Sequence, residues 1–243
     1  GAENERLSAD VELKPIGTEW QVTLKHKGKM DLADLIARTT AGKDDSQAPL
    51  EIDVQLKGKG ISLTELLQSA EGRLLMVVGE GRLSESMAGY LPLGSVLYTL
   101  VNKLLPEGQK KQRGELECSV IQLDVAKGVA TSSKGLALRT DQINLIGGGA
   151  LNLGTGEIDL RFKTAERKGL GLNILGFADR LVGVTGTLKK PRIKLDVGTT
   201  VTYGAAAWAT AGLSVLADSV YSRLTAFSNP CDAVLKAALG GAA

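Results

Sequence analysis

The sequence predicts a mostly β fold with short helices: a curved antiparallel sheet forming an open groove, with helices at its edge and a helical C-terminus. Three observations carry this. Apolar and polar residues alternate with a period of two in several segments, glycines punctuate those segments, and a strand-glycine-helix unit occurs twice. A period of two places every second side chain on one face of a sheet. Here one set is aliphatic and the other charged, which is the pattern of half-buried antiparallel strands.

Taken in chain order, alternation is clear at Val11–Lys14, Trp20–Lys25 and Leu50–Lys57, and again at Ile158–Lys163 and Ile193–Val197. The middle of the chain reads as a meander. Leu116–Val125 is a strand whose alternation breaks at Val120-Ile121, the mark of a bulge. Lys127-Gly128 reads as a turn, followed by strands near Leu136–Thr140, Ile143–Ile146 and Ala150–Leu153. Gly154-Thr155-Gly156 then turns the chain into Glu157–Lys163. Short strands with glycine-rich turns favour a curved sheet over a parallel α/β core.

The repeat pairs Leu24-Lys25-His26-Lys27-Gly28 with Leu56-Lys57-Gly58-Lys59-Gly60. Each copy reads as a strand, a glycine turn, a capping residue and a short amphipathic helix. Asp31 and Ser62 suit the cap because their side-chain oxygens accept backbone N–H groups left unpaired at a helix start. Such recurrence is the signature of a repeating architecture. Further helices are predicted at Leu93–Leu105, around Leu172–Leu181, at Thr202–Ala226 and from Pro230 to Leu239. Asn229 caps the last and Pro230 stands in its first turn. This divides the chain into a β-rich body over 1–198 and a helical segment over 199–243 packed on it.

Composition narrows the function classes. With 29 basic and 27 acidic residues the net charge is +2, without the cationic excess that displaces counterions from a nucleic acid. Aromatic residues are 4% of the chain, too few for base-stacking platforms. His26 is the single histidine, which leaves no Ser-His-Asp arrangement and no histidine-based metal site. Its place between Lys25 and Lys27 predicts exposure. Gly147-Gly148-Gly149 lacks the Lys-Ser/Thr of a phosphate loop and reads as a glycine bulge or sharp bend. Glu157 and Asp159 share a polar face, where solvated carboxylates are expected before a glycosidase pair. No catalytic residue, metal site or cofactor is predicted.

Thr199–Ala217 holds 19 residues without a charge, but it is rich in Ala, Gly and Thr. It predicts a buried or surface-docked helix before a membrane span. Cys118 and Cys231 leave two readings open: a disulfide in an oxidising compartment, or two buried thiols. The aliphatic sheet face likewise has two readings, an ordinary core or a groove that shields acyl chains. An aliphatic lining offers nothing to hydrogen-bond, which suits fatty chains and not sugars or nucleotides. Val22, Ile52, Val54, Leu145 and Leu160 are the inward candidates for such a track.

Several blocks, in order, resemble the AsmA family. They are Leu56–Leu83 (LKGKGISLTELLQSAEGRLLMVVGEGRL), Cys118–Ala130 (CSVIQLDVAKGVA), Ile143–Leu160 (INLIGGGALNLGTGEIDL), Val184–Val197 (VTGTLKKPRIKLDV) and the Asn229-Pro230-Cys231 ending. The resemblance implies a periplasmic, non-enzymatic module of the Gram-negative envelope, anchored in the inner membrane through a segment absent from this chain. It implies roles in outer-membrane biogenesis and in phospholipid transport between membranes. The expected partners are phospholipid acyl chains and envelope proteins, without nucleic acid. An envelope scaffold that recruits assembly partners is the alternative.

Overall fold

Antiparallel pairing organises almost the whole described chain. The structure is a computed structural model that describes residues 9–34, 48–82, 93–104, 115–141, 143–166, 181–195 and 229–240. Its strands are β1 (Asp10–Ile16), β2 (Glu19–Asp31), β3 (Pro49–Gly60), β4 (Glu71–Val78), β5 (Gly81–Arg82), β6 (Glu115–Ala126), β7 (Val129–Thr140), β8 (Ile143–Asn152), β9 (Glu157–Glu166), β10 (Leu181–Thr187) and β11 (Lys190–Leu195). They form one 11-stranded sheet in the order β1-β2-β3-β4-β6-β7-β8-β9-β10-β11, with β5 carrying on beyond β4 along β6. The fold is mostly antiparallel β, as the alternation predicts.

Tight turns set the meander. Lys127 and Gly128 join β6 to β7, where Ala126 pairs with Val129, and both adopt positive φ, 49° and 72°. A two-residue hairpin with both central residues in that region matches the twist of its strands. Backbone bonds then lace neighbouring turns together. Gly128 N–H donates to the Ala70 carbonyl at 2.9 Å, and Leu153 N–H donates to that of Gly128 at 2.8 Å.

Three helices are described. α1 (Leu63–Gln68) joins β3 to β4, α2 (Gly94–Leu104) lies between β5 and β6, and α3 (Pro230–Gly240) follows the last strand. Ser62 caps α1, its hydroxyl accepting the Glu65 N–H, while the Glu65 carboxylate accepts the Ile61 N–H at 2.8 Å. In α2 the buried residues Val96, Leu97, Leu100, Val101 and Leu104 fall on one helical stripe. That stripe joins the main core on one sheet face. α3 packs on the opposite face, where Cys231 and Val234 meet Val120, Ala137 and Ile146.

Several local expectations are corrected. Gly28 and Gly58 are not turns; they lie inside β2 and β3, which run on to Asp31 and Gly60. The helical starts after Asp31 and Ser62 remain, and the Asp31 carboxylate accepts the Ala33 N–H at 2.8 Å. Gly147-Gly148-Gly149 does not end a strand, since β8 runs through it with the segments either side, and the register shift at this point places the extra residues on β7, between Ser132 and Leu136, and not on the glycines. A Cβ at Gly147 would come within 2.6 Å of Phe162 Cδ1, so the glycine leaves room for that ring. The break at Val120-Ile121 is not a bulge either. Ile121 faces the main core and Val120 faces α3, so both are buried. Register shifts lie on either side, at Leu116/Cys118 and Ile121/Asp124. The helices expected at Leu172–Leu181 and Thr202–Ala226, and the uncharged stretch Thr199–Ala217, lie outside the described residues, apart from Leu181, which begins β10. Among the described residues no helix is long and apolar enough to cross a membrane.

A disulfide joins Cys118 of β6 to Cys231 of α3, with Cα atoms 6.4 Å apart. The Asn229 amide oxygen accepts the Cys231 N–H at 3.1 Å and so caps the helix at the same point. The bond closes 113 residues of sequence. In the chain-entropy account a loop of that length stabilises the fold by about 4–5 kcal/mol. We expect unfolded, unreduced protein to titrate no free thiol. Cys118→Ser should lose about 2–5 kcal/mol in urea unfolding, whereas two free thiols would show that α3 is held without the bond.

Candidate functional site

The sheet register carries mostly aliphatic side chains across one face, broken only by Ser119 and Gly147 in its two central rows. One row runs through Met30, Leu50, Val78, Ser119, Leu138 and Leu145. The next runs through Ile52, Met76, Ile121, Leu136, Gly147 and Phe162. Directly paired residues place their side chains on the same face, so these rows form one apolar surface from β2 to β9. Val182 and Val184 extend it onto β10.

Val22, Ile52, Val54, Leu145 and Leu160 all belong to this face, but they differ in cover. Leu145 and Leu160 are sealed, at 0% and 1% exposure, within the cluster that includes α2. Val54 is buried, and Ile52 and Val22 are half-buried. They do not make one line. Ile52 and Val54 are neighbours on β3, Val22 pairs with Gly58 towards the strand end, and Leu145 and Leu160 lie on β8 and β9. Beyond Val22 the face opens, with Val11, Leu13 and Trp20 at 57%, 62% and 50% exposure. The apolar face is therefore closed over its middle and uncovered at the β1–β2 end.

His26 also lies on this face, in register with Val54, and is buried, contrary to its expected exposure. Parity explains the difference. Lys25 and Lys27 point to the polar face, while His26 alternates with Leu24 and Gly28 on the apolar one. Its ring leans over Gly28, where an added Cβ would come within 3.1 Å of Cε1.

The opposite face is charged. Lys27 reaches Asp53 at 3.5 Å, Lys29 pairs with Glu51, and Arg139 bonds Glu117 at 2.5 Å. The Lys29–Glu51 pair is exposed on both sides and contributes little to stability, whereas Arg139 and Glu117 are part-buried. Glu157 is exposed and accepts the Thr155 hydroxyl at 3.2 Å. Burial pushes the Asp159 carboxyl above the ordinary carboxylate range, and the Arg161 guanidinium partly offsets this. Among the described residues no group of three His, Cys, Asp or Glu side chains could hold a metal ion.

One feature escaped sequence reasoning. At the C-terminal end of α1, a cleft of about 280 Å³ is lined by Lys57, Lys59 and Lys127 with Gln68, Ser69 and Glu71. Lys127 comes from a turn some 60 residues further along the chain, so no local motif marks the cluster. Ile61 is 70% exposed and Leu63 71% exposed at the other end of the same helix.

With this geometry in place, a comparison with known proteins gives one relationship. The chain is similar to an AsmA family protein. It is 26% identical over 161 residues to AsmA family protein YhjG of Escherichia coli (strain K12). The match covers 66% of this chain and 22% of that protein, so the chain spans about a fifth of its relative's length. No protein-family model and no solved structure matches. The AsmA-like relationship is a distant and partial one, and the uncovered apolar face must be read on its own physics.

The Asp159 environment gives a pH test. A carboxyl with a raised folded-state pKa binds its proton more tightly when folded. Its favourable contribution is therefore present below the unfolded value, near 3.8, and is lost as pH rises through the folded one. We expect Asp159→Asn to remove that loss. Urea midpoints of variant and wild type should diverge in the variant's favour as pH rises through this window, and a constant difference would count against the burial effect.

Proposed function

We propose that this chain is an AsmA-like, non-enzymatic envelope module that handles phospholipid acyl chains in outer-membrane biogenesis and lipid transport between membranes. A periplasmic setting, with anchoring to the inner membrane through another segment, is part of the proposal. The observation that carries it is the mostly aliphatic face, uncovered at its β1–β2 end. Acyl chains need a surface that removes them from water without asking for hydrogen bonds, and each buried methylene contributes about 0.8 kcal/mol. The distant likeness to an AsmA family protein supports the same reading, and a disulfide is at home in an oxidising compartment such as the periplasm.

A second reading has its own observation. Leu145 is 0% exposed and Leu160 1%, so the middle of the face is packed core. A module of that kind serves equally as an envelope scaffold that recruits assembly partners through its surfaces.

Charge placement separates the two. Leu145→Glu sets an unpaired charge in the sealed core and should unfold the protein, since such burial is among the most destabilising substitutions. Val22→Glu, at the half-buried end, should leave the circular dichroism spectrum intact. Protein purified without detergent is then examined by native mass spectrometry. Lipid handling is supported by co-purified phospholipid in wild type that is lost in Val22→Glu. Absence of phospholipid from wild type, or its undiminished presence on folded Val22→Glu, would leave the scaffold reading standing.

A further inference from the structure

We propose that the end of the sheet bearing α1 docks on an anionic lipid surface, with Trp20, Ile61 and Leu63 entering the headgroup layer and Lys57, Lys59 and Lys127 meeting its phosphates. The proposal rests on the lipid-handling reading for its purpose, and its measurement is separate.

The corner is built rigidly. Ser69 holds the end of α1 to β3, taking the Lys59 N–H at 2.7 Å and donating its hydroxyl to the Lys59 carbonyl at 2.6 Å. The Gly128 N–H bonds the Ala70 carbonyl at 2.9 Å, which brings the Lys127 turn against the same place. Glycine is required at both contacts. An added Cβ would lie 2.5 Å from the Leu66 carbonyl oxygen at Gly58 and 2.5 Å from that of Gln68 at Gly128. The three lysines are thus gathered around one cleft by backbone bonds, not by a flexible loop. Lys14 lies in the same lateral row, pairing with Gln21, which pairs with Lys59.

The apolar residues of this corner remain in water. A residue just before a helix cap commonly packs on the fourth helical residue, yet Ile61 is 70% exposed. Leu63 is 71% exposed, and Trp20, in register with Gly60 next to Ile61, is 50% exposed. α1 has six residues, so at about 1.5 Å per residue its two ends are roughly 8 Å apart. The exposed start of α1 and the lysine cleft at its end are therefore close along the helix, with Trp20 on the apolar side of the sheet end and Lys57 and Lys59 alternating to the other side. Of the nearby carboxylates, Glu65 is engaged with the Ile61 N–H, Glu71 lines the cleft opposite three lysines, Glu12 lies in the lateral row of Lys57, and Glu19 directly precedes Trp20.

That combination selects the partner. Tryptophan is enriched where membrane meets water, and lysines beside a small apolar wedge are attracted to anionic headgroups. Protein interfaces, by contrast, are depleted in lysine at their centres.

Flotation of the full chain with phosphatidylcholine vesicles, with and without phosphatidylglycerol, tests the docking. Wild type should float with the anionic vesicles, less so at high salt. In a Trp208→Phe background, Trp20 emission should shift to the blue on binding. Lys57→Glu, Lys59→Glu and Lys127→Glu should each weaken partitioning by about fivefold or more, and Ile61→Asn with Leu63→Asn should abolish the emission shift, all with unchanged circular dichroism. Wild type that ignores anionic vesicles overturns the docking, as does undiminished binding by the triple lysine variant. A lipid-free dimer that Leu63→Asn splits also overturns it, because the occupant is then a second copy. A protein that carries phospholipid yet ignores vesicles removes this docking and keeps the lipid-handling reading, while vesicle docking without carried lipid does the reverse.

Discussion

Side-chain parity is the constraint on which the rest of the structure depends. In an antiparallel sheet a one-residue slip sends every later side chain to the other face. Here the slips that occur are even in effect or are used. Between Ser132 and Leu136 β7 advances four residues while β8 advances two, from Gly149 to Gly147, so both strands keep their faces. The shift between Leu116 and Cys118 is different. Against those two steps on β6, β7 takes one, from Thr140 to Arg139. Leu116 consequently joins the main core while Cys118 turns towards α3. The single extra residue thus re-aims Leu116 into the main core, a common use of bulges, while Cys118 faces Cys231 by ordinary alternation with Val120.

This explains which elements were legible in the sequence. β3 and β9 show clean alternation because one face is covered and the other carries charge. β6 and β8 hide theirs, since both faces are buried where α2 and α3 sandwich the sheet. Val120 and Ile121 then read as adjacent apolar residues, and Leu145 and Ile146 do the same. The three glycines of β8 read as a break for a related reason. Two of them sit where β9 crosses closely, Gly147 against the Arg161 carbonyl and the Phe162 ring and Gly149 against the Asp159 carbonyl, which no local window contains. His26 looks exposed in a local window because its lysine neighbours point away from it; alternation predicts its burial once the strand is carried through Gly28.

For the candidate site, Leu145, beside Ile146, needs its pairing with Leu138 to be assigned a face, but the shared face of Val22, Ile52, Val54 and Leu160 could be read from period-two patterning alone. Their cover could not. α2 comes from a separate part of the chain, and its stripe from Val96 to Leu104 says only that it packs on something apolar. The lysine cleft was equally hidden, because Lys127 meets Lys57 and Lys59 through turn-to-turn backbone bonds and not through sequence spacing. The disulfide stood between these cases. Two cysteines allow one pairing, but whether it forms depends on where α3 docks against the face that Cys118 shares with Val120.

The differing cover along the apolar face bears on function more than any single residue does. A face buried throughout would be a core and nothing else, because a molecule entering it would have to displace α2 and forfeit native packing worth several kcal/mol. A face exposed throughout would be an aggregation hazard. The observed arrangement avoids both. The sealed rows from Leu50 to Leu145 hold the sheet and α2 together, and the uncovered residues from Val22 outward can meet an apolar ligand without unfolding anything. The free side of β1 has its own protection, since Asp10, Glu12, Lys14 and Pro15 discourage another strand from pairing there. Exposed apolar surface beside a strand edge so guarded is better suited to lipid than to a further strand of sheet, which is why the open end, and not the well-packed middle, is where function should be sought.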